Sequence, residues 1–382
     1  MSDSVSDTMI LGNARLVLAD AVVPGSVAVA GGRIAAIDGD RRIPPGALDL
    51  EGDLLLPGLV EIHTDNLEKH LTPRPGVVWP AFSAVLAHDA QVAAAGITTV
   101  LDALCIGAGP GRDWAGIAAA AIPGLAAARE AGHLRADHLL HLRCEVTDPD
   151  LPSLFEAHAG EPAVRLVSVM DHTPGQRQFA DLTKFRRYQE AFGASEAEVD
   201  AAIDQSRERQ ARHAARHRAL LADACRARGI PVASHDDETP EHVAEAKALG
   251  FVISEFPTTA AAATAAREHG LLTVLGAPNV VRGQSHSGNV SALELARSGL
   301  LDMLSSDYMP ASLMQAVFRL AGDAGITLPA AVATVSRTPA RVLGLDDRGE
   351  IAPGLRADLV QVRETAHGPV VRRVWSRGRR VL

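Results

Sequence analysis

His63 and Asp65 stand two residues apart, and in an extended strand residues i and i+2 point to the same side. An imidazole and a carboxylate there can reach one ion. The same spacing recurs in His141, Arg143 and Glu145, which alternate with Leu140, Leu142 and Cys144. An inward polar stripe on a buried strand is costly unless a site uses it. Asp171-His172, His235-Asp236-Asp237 and Asp307 add groups of the same kind, each at the end of an apolar run. Imidazole and carboxylate donors suit Zn²⁺ or Mn²⁺, and Glu145 has two oxygens with which to bridge a pair of ions. Two ions a few ångströms apart activate a water and clamp the reacting oxygens. The expected chemistry is therefore metal-assisted hydrolysis.

Such groups must be carried to one place. Eight apolar runs read as strands, at residues 59–64, 97–101, 139–146, 165–171, 230–235, 251–255, 272–276 and 303–307. Ala-rich helical stretches alternate with them, at 114–130, 200–228, 240–248, 260–269, 292–297 and 314–322. This rhythm over about 250 residues predicts an α/β fold, a (β/α)8 TIM-like barrel. Reactive side chains in such a barrel sit at the C-terminal strand ends, and five of the eight strands end in a metal-type ligand. An open doubly wound sheet usually carries a Gly-rich phosphate turn, and neither GxGxxG nor GxxxxGK[ST] occurs. The two chain ends read differently, as short strands separated by Gly turns. Neither can bury a core alone, so residues 1–56 and 346–382 are expected to form one small composite β domain around the barrel of 57–345.

One connection, 173–229, is too long for an ordinary loop. Its first part holds Arg177, Lys184, Arg186 and Arg187 against the single acid Asp181, and a second run, 207–218, holds five arginines against Glu208. The first run follows a strand that ends in Asp171-His172, so it is expected near the barrel mouth as a lid.

Composition narrows the partners. The 382 residues carry a net charge of −9, which speaks against broad phosphate-backbone binding, and aromatics at 3% argue against a stacking surface for nucleic acid. Any anionic ligand must be held by locally clustered Arg and Lys. Cys105, Cys144 and Cys225 are too few and too scattered for a disulfide framework and read as reduced thiols of a cytoplasmic protein. The polar start, residues 1–9, does not read as a secretory signal, and no window reaches 18 uncharged apolar residues, so no membrane partner is expected.

Longer blocks carry a resemblance. Leu56-Pro57-Gly58-Leu59-Val60-Glu61-Ile62-His63, Gly96-Ile97-Thr98-Thr99-Val100, and the stretch from Gly349 to Val360 resemble the amidohydrolase superfamily over nearly the whole chain. Narrower blocks are similar to its PhnM-type phosphonate-utilisation family. These are His63-Thr64-Asp65-Asn66-Leu67-Glu68-Lys69-His70, His141-Leu142-Arg143-Cys144-Glu145, Asp171-His172-Thr173-Pro174-Gly175-Gln176, Ser234-His235-Asp236-Asp237, and the Gly276–Asn289 region. The superfamily pattern implies first-strand ligands at His63 and Asp65, with Asp65 departing from the usual second His. It puts Glu145 where many relatives carry a carboxylated Lys. His172 and His235 would complete a second ion, and Asp307 would bind the first ion and shuttle the proton. Zinc is the first choice of metal, with manganese or iron as alternatives.

The implied reaction is hydrolysis of α-D-ribose 1-methylphosphonate 5-triphosphate in the carbon–phosphorus lyase pathway, releasing pyrophosphate and leaving the 5-phosphate. Lys69, Arg74, Arg143, Arg177, Lys184 and Arg282 are expected to meet the anionic ribosyl triphosphate, because Arg suits bidentate phosphate recognition. Ser285, His286 and Asn289 lie in a Gly-flanked loop able to offer backbone N–H groups, and His70 and His286 are candidate acids for the leaving group. A homodimer or contacts with pathway proteins stay open. Two alternatives stand beside this reading: hydrolysis of a cyclic amide or N-acyl substrate on the same scaffold, and a non-catalytic metal-binding scaffold.

Overall fold

The computed structural model describes residues 8–40, 43, 45–107, 114–183, 185–186, 195–285 and 288–382. The chain opens with β1 (Met9–Val17), β2 (Val22–Ala30), β3 (Arg33–Asp38), β4 (Leu48–Asp49) and β5 (Leu54–Pro57). The barrel follows with β6 (Leu59–Thr64), β7 (Ile97–Ile106), β8 (Asp137–Glu145), β9 (Val164–Met170), β10 (Val232–His235), β11 (Ile253–Glu255), β12 (Leu272–Gly276) and β13 (Met303–Ser305). The chain returns to the first sheet with β14 (Leu359–Thr365), β15 (Gly368–Ser376) and β16 (Arg379–Arg380).

All eight barrel strands expected from the sequence are present, and they run parallel in chain order from β6 to β13. They are legible because each is covered on both faces and reads as a near-continuous apolar run; β7 is buried at every position except Cys105. Leu101, Leu166, Ala233, Ile253, Val274 and Met303 fill the interior. The seam closes through a parallel bridge between Thr64 and Asp307. The register of β6 on β7 slips between Glu61 and Thr64. At this irregularity the Glu61 carboxyl accepts the amides of His63 and Ser306, both at 2.7 Å, as a neighbouring strand otherwise would.

Both chain ends share one sheet, in the order β16-β15-β14-β5-β1-β2-β3 with β4 on β1. Its join to the barrel is Gly58, whose amide donates to the Asp358 carbonyl at 2.7 Å. A Cβ there would stand 2.1 Å from Thr98 Oγ1, so only glycine fits. The sheet is also fastened electrostatically. Asp137, at the start of β8 and so at the end of the barrel away from the C-terminal strand ends, accepts from Arg348 at 2.7 Å, Arg356 at 2.9 Å and Arg377 at 3.3 Å.

The long connection after β9 contains the helix expected at 200–228, begun four residues earlier. Most of it is one helix, Glu196–Arg228, of 33 residues, about 50 Å at 1.5 Å per residue. A capping box of Ser195 and Glu198 starts it, and Gly229 in the left-handed region ends it. Ala214, Leu221, Ala222 and Cys225 pack into the core around the barrel. Val199 and Ile203, nearer its start, instead meet Phe179, Leu182 and Phe185 in a small core of their own. The arginine run at 207–218 is a helix surface: Arg212 pairs with Glu208, while Arg218 and Gln210 hold Asp171.

The helix Ala81–Ala94 is pinned to the outside of β7 and β8 by a buried relay. Asp102 accepts from His88 at 2.7 Å and from His138 at 2.8 Å, and His138 also faces Asp89 at 3.3 Å. Burial alone would lower the pKa of His138, but Asp102 and Asp89 more than offset it and push it up to about 9. An imidazolium whose folded pKa lies above its unfolded value of about 6.5 stabilises fully below pH 6.5, and that stability is lost as pH rises through 9. The contribution is on the order of 3 kcal/mol. Denaturant unfolding between pH 6 and 10 should show the loss in the wild type. His138→Gln should start less stable and lose less across that window; equal slopes would show that His138 is not the group responsible.

Candidate active site

The seam sets the geometry of the pocket. Asp307 takes a left-handed backbone, φ 53°, just beyond β13. Its amide donates to the His63 carbonyl and its carbonyl accepts from the Asp65 amide, both at 3.1 Å. First and last strands therefore deliver His63, Asp65 and Asp307 together. A pocket opens over the C-terminal strand ends, with about 790 Å³ of space including its solvent-filled mouth. His63, His172, His235, Asp307, Arg143 and Arg282 all line it.

Three imidazoles form a row, with ring centroids 6.0 Å apart for His63 and His235 and 5.9 Å for His235 and His172. One carboxylate holds two of them: Glu255 accepts from His63 Nδ1 at 2.7 Å and from His235 Nδ1 at 2.6 Å. With both Nδ1 atoms engaged, each ring has Nε2 left to act as a ligand. Burial opposes charge on Glu255, but His63 and His235, both hydrogen-bonded to it, hold its carboxyl well below the usual range. His141 sits beside His63, at 4.9 Å between centroids. Burial pushes its pKa down to about 3, so it is neutral, and Ile62 O and Ser168 Oγ occupy its two nitrogens. Its place is in the barrel wall.

Glu145 ends the third barrel strand and pairs with His172 Nδ1 at 2.7 Å through one oxygen, while the other accepts from Thr147 at 2.8 Å. Orphaned buried oxygens mark where a cation fits. Asp65 Oδ1 has no hydrogen-bond partner, its nearest cation being Lys69 Nζ at 3.5 Å, and Asp236 Oδ2 has none either. Ligand atoms of His172, His235 and Asp236 lie within 4.8 Å of one another, as do those of His63, His141 and Glu255. Imidazoles combined with unpartnered carboxylate oxygens suit a divalent transition-metal ion.

The expected phosphate contacts divide. Arg143, Arg282, Ser285 and Asn289 line the pocket. Lys69 is half-exposed and outside the pocket lining, donating to the Tyr308 carbonyl at 2.7 Å. Arg74 is exposed and pairs in the backbone only with Val77, outside the pocket lining. Arg177 is a correction. Its guanidinium is buried against Asp237 at 2.9 Å and the His235 carbonyl at 2.8 Å, so it braces the β10 end and does not face the pocket. From that segment Gln178 lines the pocket, and Phe179 sets its ring 6.2 Å from His172. Lys184, Arg187 and His286 lie outside the described residues. His70 bonds to Gln91 at 2.9 Å, away from the pocket. The sequence reading missed Glu255 altogether, although it ends its strand as Glu145 and His235 end theirs, and it noted Asp236 without giving it a role.

Comparison with known proteins places this geometry. A model of the amidohydrolase family matches residues 188–381. The alpha-D-ribose 1-methylphosphonate 5-triphosphate diphosphatase of Escherichia coli (strain K12) is 50% identical over 381 residues, 98% of this chain and 100% of that one. Two solved structures share the fold. N-acetyl-D-glucosamine-6-phosphate deacetylase from Mycobacterium smegmatis aligns with a TM-score of 0.65 at 20% identity, over 98% of this chain and 100% of that one. Dihydropyrimidinase from Brevibacillus agri NCHU1002 aligns with 0.62 at 15% identity, over 98% and 95%. At those identities the two structures speak for the fold alone.

Glu255→Gln tests the arrangement of the row. An amide offers one acceptor oxygen where the carboxylate offers two, so one imidazole loses its orienting partner. Loss of such a partner typically costs 10–100-fold in metal affinity. Competition titration of the metal-free variant against a chromophoric chelator should show a loss in that range with the circular dichroism unchanged. Wild-type affinity would mean that Glu255 does not orient the ligands.

Proposed function

The chain belongs to the amidohydrolase family, and from its 50% identity with the Escherichia coli diphosphatase we propose that its pocket hydrolyses α-D-ribose 1-methylphosphonate 5-triphosphate, releasing pyrophosphate and leaving the 5-phosphate. It is a metal-dependent hydrolase of a phosphoanhydride bond, acting within phosphonate degradation in the cytoplasm. The observation that carries the substrate class is the placing of two guanidiniums, Arg143 and Arg282, on the wall of the pocket that holds the histidine row. An uncharged cyclic amide or N-acyl substrate would give them no anion to bind, whereas a triphosphate needs its charge neutralised.

His63, Asp65 and Asp307 would hold one ion and His172 and His235 a second, with Glu145 between them, and zinc is the metal of choice. A bound cation of this kind lowers the pKa of water and neutralises phosphoryl oxygens. The chain's own residues do the rest. Arg143 comes from inside the barrel and fixes the tail by bidentate contact, while Arg282, Ser285 and Asn289 approach from the loop after β12. Asp307, held at the seam by two backbone hydrogen bonds, takes the proton of the attacking water. Catalysis is then mostly positioning and charge stabilisation, as in phosphoryl transfer generally.

The direct test offers the purified protein the ribosyl triphosphate, an ordinary nucleoside triphosphate and a cyclic amide. Pyrophosphate from the first at the highest kcat/KM is expected, and ring opening without pyrophosphate would defeat the proposal. Arg143→Ala should lose about 10–150-fold in kcat/KM on the triphosphate, the cost of one charge-assisted contact of about 1.5–3 kcal/mol.

Asp307→Asn should keep the fold, because Asn also tolerates the left-handed backbone. It should lose about 10²–10⁴-fold in single turnover at matched metal content, the usual contribution of a positioned proton acceptor. A drop below about fivefold would leave Asp307 as a ligand only.

A further inference from the structure

Asp236 follows β10 directly in a left-handed backbone, φ 53°, which is uncommon for a residue other than glycine and least so for Asp and Asn. Its amide donates to the Glu255 carbonyl at 2.9 Å, which holds the kink and turns the side chain toward the pocket that it lines. Only 6% of the residue is exposed. Its Oδ2 is buried, has no hydrogen-bond partner, and lies 3.4 Å from His235 Nε2.

The contact is chemically incomplete. His235 Nδ1 already meets Glu255 Oε2 at 2.6 Å. An imidazole that binds a metal is neutral and carries one N–H, so with Nδ1 donating to Glu255, Nε2 then presents a lone pair to a carboxylate oxygen. Two buried acceptors facing each other are costly unless a cation lies between them. His172 supplies a third donor from the other side, since its Nδ1 is engaged by Glu145 and its Nε2 is left over. The three ligand atoms fall within 4.8 Å of one another.

We propose that Asp236 is a direct anionic ligand of the ion held by His172 and His235. This rests on the reading of the pocket as metal-dependent and adds a ligand to it. Two imidazoles and one carboxylate make a three-donor face of the kind that leaves a coordination position for water or substrate. Arg177 is the brace behind it: its guanidinium ties the His235 carbonyl to Asp237, so the backbone on both sides of Asp236 is fixed.

The test is Asp236→Asn, which keeps size and backbone preference and removes the charge. Metal-free wild type and variant are titrated with zinc against a chromophoric chelator, with the melting temperature of each followed with and without zinc. One class of ion should bind at least tenfold more weakly in the variant, and the zinc-induced rise in melting temperature should shrink, while the metal-free proteins melt alike. In a His172→Ala background the same change should cost much less, because both residues serve one ion. Should Asp236→Asn not fold, Asp236→Gly removes the carboxylate while relaxing the left-handed backbone, and the same loss is expected. If His235 and Asp236 merely share a proton, the variant will take up zinc as the wild type does, and the proposal falls. Pyrophosphate release is measured on the same wild-type sample. Hydrolysis with unchanged zinc uptake in the variant would overturn the ligand alone. Weakened uptake in the variant with no hydrolysis by the wild type would overturn the substrate reading and leave the ligand standing.

Discussion

Barrel closure brings together residues that the chain holds 243 positions apart, Thr64 and Asp307. The join consists of backbone hydrogen bonds among His63, Asp65 and Asp307, so the residues that close the barrel also assemble one half of the pocket. Glu61 supports the join from beneath by taking the His63 and Ser306 amides where the register slips. Full burial pushes its carboxyl up to about 8 in spite of those bonds. A barrel misaligned by one residue at this seam would separate the candidate ligands as well as the strands, because a one-residue slip sends every side chain to the other face.

The other half of the pocket depends on charge placed deep in the wall. Glu255 lies under two imidazoles contributed by the first and fifth barrel strands and fixes which nitrogen each can present. His141 next to them gives its two nitrogens to Ile62 O and Ser168 Oγ and leaves the hydrogen bonds of that carboxylate to the other two rings. Asp237 does similar work one layer back. Besides Arg177 it receives Ser254 Oγ at 2.7 Å and Ser234 Oγ, so the turn after β10 is anchored to β11. Strands and their first following residues carry Arg143 and the candidate ligands, while Arg282, Ser285 and Asn289 come from the segment after β12, a division that keeps the candidate metal-binding geometry on the rigid elements.

Much of this was legible in the sequence. Parallel strands covered on both faces read as apolar runs, so polar residues at their C-terminal ends stand out; that is how His63, Glu145, His172, His235 and Asp307 were picked out as candidate ligands. Glu255 escaped because its strand is three residues long and its two partners lie 192 and 20 residues away. Nothing local distinguishes a carboxylate that orients imidazoles from one that faces solvent. Arg177 misled for the matching reason. A cluster of positive charge near the mouth suggests phosphate, but the acid that claims this guanidinium is Asp237, 60 residues on. Within the 173–229 connection the helix at 200–228 was legible, while its start at Glu196 was not, because its first turns are polar on most faces and only Val199 and Ile203 are buried there.

The sheet formed by both chain ends has a consequence for synthesis. Strand β5, buried at all four positions, pairs with β1 on one side and β14 on the other. When β5 leaves the ribosome, β14 is some 300 residues from being made, a wait of roughly 15–60 s at about 5–20 residues per second. Throughout that interval an apolar strand edge is open on the nascent chain, a template for pairing with a neighbouring copy. The barrel is complete before the edge is covered. Chaperone protection during translation would therefore matter most for these first 57 residues, and the last strands act as a closing clasp whose arrival ends the period of risk.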